Sequence, residues 1–195
     1  MKQINMDNLS FDEFTQLALR TESQITETTM DMPGFKVLLR MHTIIGTLLD
    51  YIKKGIFYNN YEKYDANFLK LTTELNELVL EFVVVCNKKR TPVTDLNFRL
   101  LHGLLGALTE ASEIGEHLTK LVETGEVDKV GIGEEFSDSD WYKAITFDTL
   151  GLTEEVARRN VIEKLKKRFP DKYSDEKAAN RDLDGERAIL KQGIE

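Results

Sequence analysis

The sequence predicts an all-α fold, a bundle of antiparallel helices. Three observations point there: apolar residues recur every three or four positions through most of the chain, almost nothing alternates with period two, and only three prolines interrupt 195 residues. Ser10 with Glu13 reads as a capping box, and Phe11, Phe14, Leu17 and Ala18 make a short first helix that fades between Thr21 and Met30. Pro33-Gly34 punctuates. From Phe35, the residues Leu38, Leu39, Met41, Ile45, Leu48, Leu49 and Ile52 form a longer stripe that stops near Gly55. After Asn59-Asn60, Phe68, Leu71, Leu75, Leu78, Val79 and Phe82 mark a third helix running to about Cys86. Lys88-Lys89-Arg90-Thr91-Pro92 closes it, with cations at the negative end of the helix dipole. Asp95 is the expected cap of a fourth helix carried by Leu100, Leu101, Leu104, Leu105, Leu108, Ile114 and Leu118. Gly125 to Gly133 reads as a loop, and a fifth helix runs from near Glu134 to Gly151. Thr153 opens a sixth that Pro170 closes, and Ser174 to Leu190 is a polar surface helix or arm.

Charge and composition narrow the function classes. Lys and Arg number 26 against 34 Asp and Glu, a net charge of -8, with 41% hydrophobic and 31% charged residues, as in soluble helical proteins. Nucleic-acid binding needs surplus cations to release counterions, so no nucleic-acid partner is expected, although a local basic pocket for a phosphate ligand is compatible with this balance. A single cysteine, Cys86, excludes an intrachain disulfide and any Cys/His metal motif, and its place after Phe82-Val83-Val84-Val85 suits a buried helix residue. No apolar run approaches the roughly 18 residues of a membrane span, and Met1–Asp7 lacks the apolar core of a signal peptide, so no membrane partner and a cytoplasmic location are expected. No linker divides the chain, which predicts one domain over residues 1–195.

The chemistry-bearing residues are carboxylates. Glu110 and Glu113 lie three apart on one helix face, Glu116 continues that line, and Glu135 with Asp138 repeats the spacing across a short loop. Helices joined by a short connection pack antiparallel, so four carboxylates can converge on one patch. Clustered carboxylates repel, and a hard divalent cation with oxygen ligands relieves that repulsion. From spacing alone, solvated faces of an acidic protein are the commoner reading.

The surrounding motifs add to this. Leu101-His102-Gly103-Leu104-Leu105-Gly106-Ala107-Leu108-Thr109-Glu110-Ala111-Ser112-Glu113 resembles the H-x-x-x-G-x-x-x-E-A-x-E segment of MazG-like enzymes, members of the all-α nucleoside triphosphate pyrophosphohydrolase superfamily. Glu134-Glu135-Phe136-Ser137-Asp138-Ser139-Asp140-Trp141-Tyr142 looks like that family's E-E-x-G-D-x-x-W-Y, with Ser137 for the usual Gly and Asp140 for an apolar residue. Leu165-Lys166-Lys167-Arg168-Phe169-Pro170-Asp171 and Ala179-Asn180-Arg181-Asp182 are similar to its tail, except that Val161 holds the usual Asn position and Asn160 stands one residue early. The resemblance covers roughly residues 100–190.

It implies a four-helix core of the MazG and dimeric dUTPase type with extra terminal helices. It also implies hydrolysis of a nucleoside triphosphate substrate between its α- and β-phosphates, giving the monophosphate and pyrophosphate. The metal would be Mg²⁺, with Mn²⁺ a possible substitute, held by Glu110, Glu113, Glu135 and Asp138, where it would polarise phosphoryl oxygens and acidify a bound water. Glu110 or Glu113 is the candidate base. Lys164, Lys167 and Arg168 are candidates to neutralise the departing pyrophosphate, or else form a solvated basic face. A homo-oligomer, a dimer, is expected.

An internal echo suggests how the chain is organised. His42-Thr43-Ile44-Ile45-Gly46 matches His102 to Gly106, and at the same offset Asp50 faces Glu110, Lys53 faces Glu113 and Glu74 faces Glu134. Lys53-Lys54-Gly55-Ile56-Phe57-Tyr58 resembles the K-K-x-x-F-Y segment that follows the first carboxylates in many MazG-like proteins. Two fused helical-hairpin units are therefore expected: a degenerate one over 30–90 supplying substrate contacts from Lys53, Lys54 and Tyr58, and a carboxylate-bearing one over 95–150. A C-terminal helix and arm occupy 151–195. Chance recurrence of H-x-x-x-G on two amphipathic helices is the competing explanation.

Two rival functions are weighed. A di-iron site needs Glu-x-x-His on two helices, but His117 follows Glu113 by one residue too many, and His42 and His102 have no Glu at that spacing. A catalytically inactive helical module that binds nucleotide or protein is the other, suggested by Ser137 and Asp140. His102 is expected to be a structural hydrogen-bonding residue, and Trp141 and Tyr142 to pack a core, where one of them could also stack on a base. Gly131-Ile132-Gly133 follows no strand, so it is no dinucleotide loop.

Overall fold

The computed structural model describes residues 6–86 and 90–194, in which helix dominates. In chain order the elements are α1 (Phe11–Ala18), β1 (Thr28–Met30), α2 (Met32–Tyr58), α3 (Glu62–Val85), β2 (Thr91–Val93), α4 (Phe98–Thr124), α5 (Lys129–Leu150), α6 (Glu154–Arg168), α7 (Asp175–Ala179) and α8 (Leu183–Leu190), with 3-10 turns at Met6–Asn8 and Leu19–Thr21. Among the described residues no helix is long and apolar enough to cross a membrane. The chain divides into two compact units, one of residues 27–95 and one of residues 1–26 with 96–195.

The 27–95 unit is a helical hairpin closed by a ribbon. Asp31 accepts the Gly34 N–H and Pro33 occupies the first turn, so α2 starts ahead of the expected Phe35. It also runs past Gly55 to Asn59, whose left-handed backbone (φ 47°) ends it. Gly55 does not stop the helix; it makes room, since a Cβ there would lie 2.1 Å from the Tyr61 ring. Val37, Ile44 and Leu78 are buried between the helices, with Met41, Leu48, Leu71, Leu75 and Phe82 packed around them. Antiparallel β1 and β2 pair Thr28 with Val93 and Met30 with Thr91. The fold is helical as expected, and the ribbon is a small addition, its three-residue strands too short for a period of two to register in the sequence. Lys88 and Lys89 lie outside the described residues.

The other unit is built on the α4–α5 hairpin. Asn97, not Asp95, caps α4, its Oδ1 accepting the Leu100 N–H at 3.0 Å. Gly125 (φ 75°) ends that helix. The expected loop to Gly133 is mostly helix, because Asp128 accepts the Val130 and Gly131 N–H groups at 3.1 and 3.0 Å and starts α5 there. Thr153 caps α6 as expected. The N-terminal segment packs on this hairpin: Phe11 meets Phe147 edge-on at 6.3 Å, the Trp141 indole N–H donates to Thr21 Oγ1 at 3.1 Å, and Arg99 grips the buried Glu22 carboxylate with two 2.7 Å hydrogen bonds. The polar arm is two short helices, and α8 is tied to α6 through Glu186.

Candidate metal centre

Two glycines set the distance between α4 and α5. A Cβ at Gly106 would lie 2.1 Å from Tyr142 ring carbons, and one at Gly103 would lie 2.2 Å from Thr146 Oγ1. Further along, the His117 ring fills the space over Gly131, where a Cβ would come within 2.4 Å of its Cε1. Between these contacts the antiparallel register brings Glu110 level with Asp138 and Glu113 level with Glu135. Ligand atoms of Glu110, Glu135 and Asp138 all lie within 4.8 Å of one another. Glu110 is buried, Glu135 half-buried and Asp138 exposed. Glu113 is exposed and stands beside this group of three, acting on it through its charge.

The electrostatics are those of crowded anions. Burial, then the charge of Glu113, then a hydrogen bond with Glu135 and the charges of Asp138 and Glu135 push the Glu110 carboxyl above its ordinary range. Burial and the charges of Glu110, Asp138 and Glu113 likewise hold the Tyr142 phenol protonated to higher pH. Among the described residues no Lys or Arg pairs with Glu110, Glu113, Glu135 or Asp138, and the His117 ring lies against Glu135, Nε2 to Oε1 3.8 Å. An all-oxygen set of this kind suits a hard divalent cation. His117 lies two turns beyond Glu110 and Tyr142 one turn beyond Asp138, spacings that put them on the same helix faces as the carboxylates and are the signal in the sequence that could find them.

The two departures from the family pattern leave this patch intact. Ser137 turns back to bond the Gly133 carbonyl at 2.7 Å. Asp140 pairs with Lys143, which also binds the buried Glu154 at 2.8 Å and sits 4.5 Å above the Phe11 ring. His102 packs edge-on against Trp141 and Tyr142.

Most of the proposed substrate residues have carboxylate partners within their own unit. Lys53 and Lys54, in the 27–95 unit, both pair with Asp50, and Tyr58 is partly exposed at the end of α2. Arg168 is committed to Glu186, as is Arg181, and the two guanidiniums hold that carboxyl down to about 2. Lys167 pairs with Asp182 at 2.7 Å, and Lys164 is half-buried on α6. Asn160, 2% exposed, donates to the Leu190 and Gln192 carbonyls and anchors the C-terminal segment. No family model, curated protein or solved structure matches the chain. The MazG-like resemblance rests on its motifs alone.

Proposed function

We propose that the α4–α5 hairpin is the catalytic centre of a Mg²⁺-dependent nucleoside triphosphate pyrophosphohydrolase. The observation that carries this reading is the convergence of Glu110, Glu135 and Asp138 within 4.8 Å, one of them buried and, among the described residues, none paired with Lys or Arg. The motif resemblance supplies the reaction. When bound, the cation would polarise the α–β phosphoanhydride and acidify a water. Glu110, 6% exposed, would serve as the buried ligand. Glu113, which is exposed, or Glu110 would take the proton of an attacking water. His117 stands behind Glu135 and fills the space against Gly131. Lys53, Lys54, Tyr58, Lys164, Lys167 and Arg168 are the proposed contacts for the polyphosphate, and those already ion-paired would exchange a carboxylate for a phosphate on binding.

The test is turnover of a nucleotide panel by the purified chain with Mg²⁺, with pyrophosphate release as the readout. Asp138→Asn and Glu113→Gln should abolish turnover while keeping the helical circular-dichroism spectrum. Wild-type turnover in both would remove the assignment. Nucleotide binding without turnover in the wild-type chain would favour the inactive binding module.

A further inference from the structure

One group beside the carboxylates has no task in the proposed chemistry. The His117 Nε2 lies 3.8 Å from Glu135 Oε1, and both side chains are mostly covered, 19% and 13% exposed, so water competes little for either. The ring rests on bare backbone. A Cβ at Gly131 would lie 2.4 Å from its Cε1 and 2.7 Å from its Nε2, so a side chain there would displace the nitrogen that faces Glu135. Gly133, two residues on, has nothing within 4 Å of an added Cβ. Asp128 also approaches this corner, but its Oδ1 accepts the Val130 and Gly131 N–H groups and caps α5. Glu135 is in turn hydrogen-bonded with Glu110, which puts it in the middle of a line from His117 to the buried carboxyl.

We infer that His117 is a positioning residue of the metal centre: its Nε2–H holds Glu135 Oε1 and so turns that carboxylate toward Glu110 and Asp138. A shift of about 1 Å closes the 3.8 Å separation to hydrogen-bond length. No change of charge is needed, because a neutral imidazole with its proton on Nε2 donates as the imidazolium does. A ligating carboxylate that is free to swing spends binding energy on being ordered, and a donor on its outer oxygen supplies that order beforehand. Gly131 is the complementary feature on α5, since its missing side chain is what lets the ring reach Glu135. The inference rests on the metal reading of the α4–α5 hairpin. It adds to that reading two residues, His117 and Gly131, that lie between the family-like motifs and not within them.

Titration of the full chain with Mn²⁺ at one pH, read by the electron paramagnetic resonance signal of the free ion, tests this without turnover. His117→Leu fills the same space without a donor and should raise the Mn²⁺ Kd about 10–100-fold. His117→Gln, whose amide N–H reaches about as far as Nε2, should recover most of that loss. Gly131→Ala pushes the ring aside and should weaken binding in the same direction, whereas Gly133→Ala, a matched methyl in open space on the same helix, should not. Wild-type affinity in His117→Leu overturns the inference and leaves the carboxylate site standing. Equal losses in His117→Leu and His117→Gln overturn it too, because the packing of the ring and not its donor would then be the cause. A wild-type chain that binds no Mn²⁺ removes the metal reading and this inference together. Should His117→Leu lose helicity, Gly131→Ala decides, since both glycine substitutions favour helix, and wild-type affinity there overturns the inference.

Discussion

Gly106→Ala and Gly115→Ala put the same methyl group on the same helix and should move stability in opposite directions. Both lie in the interior of α4, where replacing Gly by Ala gains about 1 kcal/mol of backbone entropy and propensity. Gly115 has nothing within 4 Å of an added Cβ, so it should show that gain in full, roughly 2–4 °C in melting temperature for a chain of this size. At Gly106 the methyl would sit 2.1 Å from two Tyr142 ring carbons, well inside van der Waals contact. The ring cannot step aside freely, because Trp141 and His102 hold it edge-on with centroids at 4.9 and 5.6 Å. Overpacking of this kind costs about 1–3 kcal/mol. After the propensity gain, Gly106→Ala should fall about 1–3 kcal/mol below Gly115→Ala, with net effects from neutral to destabilising. Trp141 is the chain's only tryptophan and lies on α5, so its fluorescence in urea follows this unit. Equal stabilisation by both substitutions would refute the account of how α4 and α5 come close enough to gather the carboxylates.

Other outcomes follow from the charged groups. Glu110→Gln should raise the melting temperature at neutral pH. A carboxyl held above its ordinary range costs the folded state stability once pH rises above that range, so the gain should disappear in melts below about pH 4. Added Mg²⁺ should raise the melting temperature of the wild-type chain and leave Glu110→Gln with a much smaller shift, as read by calorimetry. Glu186, 3% exposed and held to about 2 by Arg168 and Arg181, contributes stability that is complete above about pH 4.5 and lost as pH falls toward 2. Glu186→Gln should therefore destabilise α8 against α6 by about 3 kcal/mol, the low end for a broken buried pair, detectable as faster amide exchange in α8. Lys53→Ala with Lys54→Ala should raise KM for the triphosphate about tenfold, the worth of one charge-assisted contact of about 1.4 kcal/mol. Glu74→Gln with Glu77→Gln should leave turnover near wild type.

The sequence by itself determined the elements whose signal is local. The Ser10–Glu13 capping box, the Thr153 cap, and the apolar stripes of α2, α3 and α4 are written in spacings of three and four, and each became a helix. The facing pairs Glu110 with Glu113 and Glu135 with Asp138 were legible for the same reason, since helical periodicity fixes which residues share a face. Helix ends were less so. Asn97 competes with Asp95, and Asp128 competes with a run of glycines that looks like a loop, because capping depends on which side chain reaches the free N–H groups.

Tertiary structure alone decided which of the four carboxylates meet. That outcome depends on Gly103 and Gly106 admitting the Tyr142 and Thr146 side chains, a distance between helices that no spacing along one helix encodes. It decided as well that Arg168 and Arg181 converge on Glu186, that Asn160 holds the C-terminal carbonyls, and that Phe11, Thr21 and Glu22 pack against α4 and α5. Each is a pairing of groups far apart in the chain. Its energy comes from burying polar atoms together with their partners, and a linear pattern carries the residues for such a pairing without naming who meets whom.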